Sequence, residues 1–185
     1  DRVTFALGAD PARVAWGIER ARNTSPDVRL GAFVNVVCHD DVAVARSLAS
    51  GGMSTFARFN VMHGTTHGPM DDDARSTLQE VHGAYDMRAH TRTGSPQAER
   101  LTASFAERFA VLGPADACLG RLRELVALGL DHLVIVGPSL GSEPERANPW
   151  ESIVIIVQNG AERFCIHADE LIGEQQVVVK GLGSA

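Results

Sequence analysis

Residues 109–138, FAVLGPADACLGRLRELVALGLDHLVIVGP, decide how this chain reads. Phe109 to Leu112 is a short apolar run halted by Gly113-Pro114, which predicts a brief strand. Pro114 suits a first helical position, where its missing N–H would have lacked a partner and its φ is already set. Cys118, Leu122, Leu125 and Val126 recur at i, i+4, i+7 and i+8, the apolar stripe of an amphipathic helix, and Arg121, Arg123 and Glu124 take the wet side. Gly129 is placed to end that helix with positive φ. Leu133 to Val136 (LVIV) is the continuous branched run of a strand buried on both faces. Strand, helix and strand in one short stretch make a βαβ unit, and predict a parallel sheet covered by helices.

The rest of the composition agrees. The chain has 185 residues, 44% of them hydrophobic and 5% aromatic, enough for one domain with a real core. The net charge is -6, and no lysine precedes Lys180, so a broad basic face for nucleic acid is not expected. No apolar run is long enough to span a bilayer. Asp1-Arg2 followed by VTFAL reads as a strand and not as a secretory leader, and the start without Met suits a fragment; a cytoplasmic setting is the expectation. Cys38, Cys118 and Cys165 each fall singly within an apolar element and read as core thiols in a reducing compartment.

Working outward, Val3 to Leu7 predicts a strand, and Asp10 with Pro11 a capped helix start. Val14, Ile18 and Ala21 form the helix's apolar stripe, with Arg20 and Arg22 in its last turn. Leu30 to Cys38 predicts a second strand, and His39-Asp40-Asp41 opens another helix with Asp40 as the expected cap. After Gly51-Gly52, Met53, Phe56 and Phe59 resume a helical period. Residues 63–70 (HGTTHGPM) must be a loop. Asp71 to Asp73 open a helix with Leu78, Val81 and Tyr85 on one face, and Pro96 another carrying Leu101 and Phe105. Residues 53–108 are thus a helical insertion between strands, the kind of excursion that carries function or covers a site.

Beyond Val136 the pattern changes. Residues 138–149 form a polar, proline-rich linker. Ser152 to Val157, the Asn159-Gly160 turn, Glu162 to His167 and then Gln176 to Lys180 predict a short antiparallel β meander. This divides the chain into 1–148 and 149–185.

The stretches VTFALGADPARVAWGIERAR, LGAFVNVVCHDDVAVAR, TFARFNVMHG and FAVLGPADACLGRLRELVALGLDHLVIVGPS together resemble the C-terminal half of the bacterial-luciferase-like oxidoreductases, which use a flavin or a deazaflavin. The resemblance implies an α/β fold, a partial (β/α) barrel of about four βα units with its N-terminal half missing. It implies FMN or a deazaflavin coenzyme as cofactor, hydride transfer or monooxygenation as chemistry, and a small organic molecule as substrate. Residues 151–185 are instead similar to the coupling-protein-like regulatory domain of chemotaxis histidine kinases, in the apolar strand, NG turn, RF and DELIGEQQVVVK pattern.

In the family, backbone amides at strand C-terminal ends hold the cofactor phosphate. The matching positions are Gly8 and Ala9, Gly113, and Gly137, Pro138 and Ser139; ordinary glycine turns are the plainer reading of each. Asp10 is a poor phosphate neighbour and reads as a cap. His63 and His67 stand four apart, but Gly64, Gly68 and Pro69 forbid a helix between them, so no metal site is expected. His63 on the substrate side is the candidate proton donor. His82 reads as the edge of the apolar stripe and His39 as a helix-entry residue rather than a base; His90, His132 and His167 have no specific case. Asp71 to Asp73 read as first-turn capping carboxylates. Nucleophile-elbow, phosphate-loop, dinucleotide-fold and C-x-x-C motifs are absent.

Two functions follow. One is a fragment of a luciferase-like oxidoreductase, incomplete as a catalyst. The other is a non-catalytic binding or assembly module, since half a barrel leaves strand edges free to pair with a second copy or a complementary half; the tail would then be a signalling contact.

Overall fold

The computed structural model describes residues 2–137, 153–159 and 162–168. The element order is β1 (Arg2–Phe5), α1 (Pro11–Thr24), β2 (Arg29–Cys38), α2 (Val42–Phe59), α3 (Asp72–Gly83), α4 (Ala103–Phe109), β3 (Val111–Gly113), α5 (Ala115–Ala127), β4 (His132–Val136), β5 (Ile153–Asn159) and β6 (Glu162–Ala168). Single 3₁₀ turns at Met87–Ala89 and Ala98–Arg100 lie between α3 and α4.

β2 is the organising strand. It pairs in parallel with β1 through Arg2↔Arg29 to Phe5↔Ala32, with β4 through Gly31↔His132 to Asn35↔Val136, and with β3 through Val36↔Val111 to Cys38↔Gly113. Gly31 and Ala32 face partners in both β1 and β4, so those strands flank opposite edges of β2. The βαβ unit is present as β3, α5 and β4, except that Phe109 closes α4 and the first strand begins at Val111. Among the described residues, however, the sheet is open: β4 lies beside β2, not beside β3. It is consistent with part of a barrel and does not close into one.

Side-chain alternation along β2 explains its two cores. Leu30, Ala32, Val34 and Val36 pack with Val14 and Ile18 of α1 and with Cys118 and Leu125 of α5. Val37 joins the other core, with Met53 and Ala57 of α2, Leu78 and Val81 of α3, and Phe105 and Phe109 of α4. Phe33 adds an aromatic contact to Phe56, with ring centroids 5.7 Å apart. Both faces of the strand are covered, as its near-continuous apolar sequence requires.

Several local expectations need correction. Asp41, not Asp40, caps α2, accepting from the amides of Ala43 and Val44. α2 runs unbroken through Gly51-Gly52, so the helical excursion starts at Val42 and not at residue 53. Gly51 is there for contact: a Cβ would lie 2.0 Å from the Thr91 carbonyl oxygen. Pro96 starts no long helix; a 3₁₀ turn intervenes and Thr102 caps α4, accepting from the Phe105 amide. Pro114 stands at the cap position of α5, one residue earlier than expected. Val126 is 44% exposed and off the apolar face. Gly129 does have the positive φ (105°) assigned to it.

β5 and β6 pair antiparallel through Ile153↔Ala168 to Asn159↔Glu162. The third meander strand, 176–180, and the boundary near 148 lie outside the described residues.

Candidate functional site

Because the strands of the main sheet are parallel, their C-terminal ends point the same way. Ligand sites of such sheets form there. The loop after β1 brings Gly8, Ala9 and Asp10 to that edge. Asp10 caps α1, its carboxylate accepting from the Ala12 amide at 2.9 Å, with Pro11 at the first helical position. This follows from the cap preference of Asp and the preset φ of Pro.

Three arginines gather around the loop. Arg108 of α4 donates from Nε and Nη2 to Asp10 Oδ2, at 3.2 and 2.7 Å, and from Nη1 to Asp71. Its guanidinium pKa is raised, by Asp10 first and Asp71 second. Asp71 is lowered, first by the Ala74 amide it caps and then by Arg108. Arg121 of α5 donates to the carbonyls of Ala9 (3.1 Å) and Glu107 (3.2 Å). Asp10, Pro11, Arg108 and Arg121 line a cleft of about 320 Å³.

Arg13 is the third. It is only 5% exposed and is spent on structure. It donates to the carbonyls of His67 (3.1 Å) and Pro69 (3.2 Å), to Asn60 Oδ1 (2.8 Å) and to the Leu7 carbonyl (3.4 Å). Burial is the first cause of its lowered pKa. Asn60 in turn donates to the Ala6 carbonyl at 2.7 Å. The irregular 60–70 loop is thereby tied to the end of β1, which sets Asp71 beside Arg108.

Gly8 has φ +81°, and a Cβ there would lie 2.6 Å from the Phe109 ring, so packing and turn geometry both demand glycine. The Ala9 amide donates to the Phe109 carbonyl at 2.8 Å. Gly113, at φ +128°, ends β3, and its carbonyl accepts from the His39 amide at 2.9 Å. Gly137 is exposed directly after β4. His63 is exposed in the turn after α2. Pro138 and Ser139 lie outside the described residues. The edge therefore sets the Gly8–Asp10 loop against Arg108 and Arg121, while Gly113 ends β3 outside the cleft those arginines line. Arg121 lies on the polar side of the α5 stripe, and no local pattern marks Arg108. Among the described residues, no group of three His, Cys, Asp or Glu side chains could hold a metal ion, and no helix is long and apolar enough to cross a membrane.

A flavin-type cofactor presents a phosphate, so the donor set must suit an anion. Arg108 and Arg121 keep N–H groups beyond those already engaged, and the α1 N-terminus adds a favourable dipole. The residues fit the phosphate end of such a cofactor. The Ala9 amide is engaged within the fold, so Arg108 and Arg121 are the groups that would hold it.

No curated protein matches the chain. A family model for luciferase-like monooxygenases matches residues 2–132. That range takes in β1 through the start of β4 and every residue lining the arginine cleft. The chain belongs to the luciferase-like monooxygenase family.

Proposed function

We propose that the chain is part of a flavin- or deazaflavin-dependent oxidoreductase of luciferase-like type, and that the Arg108/Arg121 cleft receives the cofactor phosphate. The observation that carries this is the convergence of two arginines and the α1 N-terminus on the strands' C-terminal edge, within the family-matched range. The bound cofactor supplies the hydride or oxygen chemistry. This chain's part is to hold the anionic end, with Gly8, Ala9 and Gly113 shaping the loops and His63 on the substrate side as proton donor to a small organic substrate. Gly137, directly after β4, continues the same edge. Fluorescence titration with FMN and with a deazaflavin coenzyme tests this reading, using the chain alone and mixed with a complementary half barrel. Saturable micromolar binding of one of them is expected. No binding in either format contradicts it.

A second reading has its own observation. The edge of β1 away from β2 has no strand partner among the described residues. Beside it lies an apolar cleft of about 440 Å³ lined by Val3, Phe5, Leu7 and Trp16. Such an edge and groove favour pairing with a second copy or a complementary half barrel. The tail, similar to a chemotaxis-type regulatory segment, would add a signalling contact. A concentration-independent monomer in light scattering at micromolar chain counts against self-pairing.

A further inference from the structure

Two thiols meet where β2 ends and α5 begins, beside Gly113. Cys38 is the last residue of β2, in register opposite Gly113. Alternation puts it on the same face as Val36, which packs in one core with Cys118. Cys118 lies in the first turn of α5 and is 1% exposed. Its Sγ is 3.3 Å from the Gly113 carbonyl oxygen and 3.8 Å from that of Val37, the residue before Cys38. Both carbonyls belong to the immediate surroundings of Cys38: Val37 precedes it and Gly113 is its register partner across to β3. The two cysteines are therefore neighbours, although eighty positions separate them in sequence.

The pair is asymmetric. Cys38 is exposed and Cys118 is buried. Burial first, and then Cys38, push the Cys118 thiol up to about 11. Cys118 thus stays protonated at neutral pH, and a solvent-borne oxidant meets Cys38 first.

We infer that Cys38 and Cys118 form an oxidisable dithiol that a hydroperoxide converts to an intramolecular disulfide at the C-terminal edge of the sheet. In the first step the Cys38 thiolate sulfur attacks an oxygen of the hydroperoxide. An S–O bond forms and the O–O bond breaks. The leaving oxygen takes up a proton and departs as water or an alcohol, and Cys38 becomes a sulfenic acid. In the second step the Cys118 sulfur attacks the Cys38 sulfur. An S–S bond forms and the S–O bond breaks, and hydroxide leaves with the Cys118 proton as water. Two electrons pass from the thiols to one hydroperoxide. The product joins the end of β2 to the first turn of α5, beside Gly113.

The test exposes the native chain to equimolar hydrogen peroxide, alkylates the remaining thiols and maps the peptides by mass spectrometry. The expected product is the Cys38 peptide linked to the Cys118 peptide, released by a thiol reductant, with Cys165 still alkylated. Cys118→Ser should accumulate a Cys38 sulfenic acid that a cyclic diketone traps, and Cys38→Ser should leave Cys118 reduced. The wild-type arm requires no variant to fold. Oxidation of Cys38 to sulfinic acid with Cys118 still alkylatable would overturn the inference. So would linkage of Cys38 to Cys165 or to a second chain.

Discussion

Thr4, Gly31 and His132 lie side by side across β1, β2 and β4, and the middle position has no side chain. The His132 ring fills that space and hydrogen-bonds Thr4 Oγ1 at 3.2 Å. A Cβ on Gly31 would sit 2.1 Å from His132 Nε2. Gly31→Ala should therefore cost about 1–3 kcal/mol by forcing the ring aside. Chemical denaturation of a double-mutant cycle should show that most of this cost vanishes in a His132→Ala background. His132 also carries a pH signature. Burial first, then Arg2, lower its pKa from the ordinary 6.5, while Asp131 opposes them and Arg29 adds to the lowering. The folded chain then binds fewer protons at this site than the unfolded chain. The contribution is fully present above 6.5 and is lost as pH falls through 6.5 toward the lower folded value. Thermal midpoints of wild type should drop more steeply across that window than those of His132→Gln; identical slopes would contradict the assignment. At Asp10, the carboxylate caps α1 and pairs with Arg108, so Asp10→Ala should lose about 1–2 kcal/mol in denaturant melts.

The helices separate what sequence periodicity reports from what it cannot. α2 carries adjacent glycines with opposite roles. Gly51 faces a carbonyl oxygen of the 91–92 backbone, whereas a Cβ on Gly52 meets only Asn35 Nδ2 at 3.1 Å, a side-chain end that can shift. Gly51→Ala should destabilise despite its better helix propensity, and Gly52→Ala should be near neutral. Gly120 in α5 has open space around it, so Gly120→Ala should stabilise by about 1 kcal/mol. Calorimetry of the three variants gives the order directly. Much of the element pattern was legible because it is local: the cap at Asp10, the loop at 63–70, the stripe of Cys118 and Leu125, the stop at Gly129. The missed features were not local. Two glycines in sequence suggest a break, but only the fold brings Thr91 against Gly51. A stripe tells which side of α5 is apolar; it does not tell that Arg121 reaches back to Ala9. Arg13 meets His67, and Arg108 meets Asp10, across long stretches of chain that no window spans.

For the whole molecule, β2 with its two cores holds four loop ends at one edge of the parallel sheet. The likeness of residues 1–148 to luciferase-like enzymes, drawn from ordered strand and helix stretches, agrees with the family match over 2–132. What the sequence could not show was the composition of that edge, because its charged groups come from α1, α4, α5 and the residue capping α3. The proposed reading gives the edge an anionic ligand. The most direct test compares the affinities of FMN and riboflavin, and of a deazaflavin coenzyme with and without its phosphate, in wild type, Arg121→Lys and Arg121→Gln, with circular dichroism verifying each fold. The account predicts that one phosphorylated cofactor binds at least about tenfold more tightly than its dephosphorylated partner, about 1.4 kcal/mol. It also predicts that Arg121→Gln removes most of that difference and Arg121→Lys keeps part of it. Equal affinities with and without the phosphate, or a preference unchanged in Arg121→Gln, would contradict it.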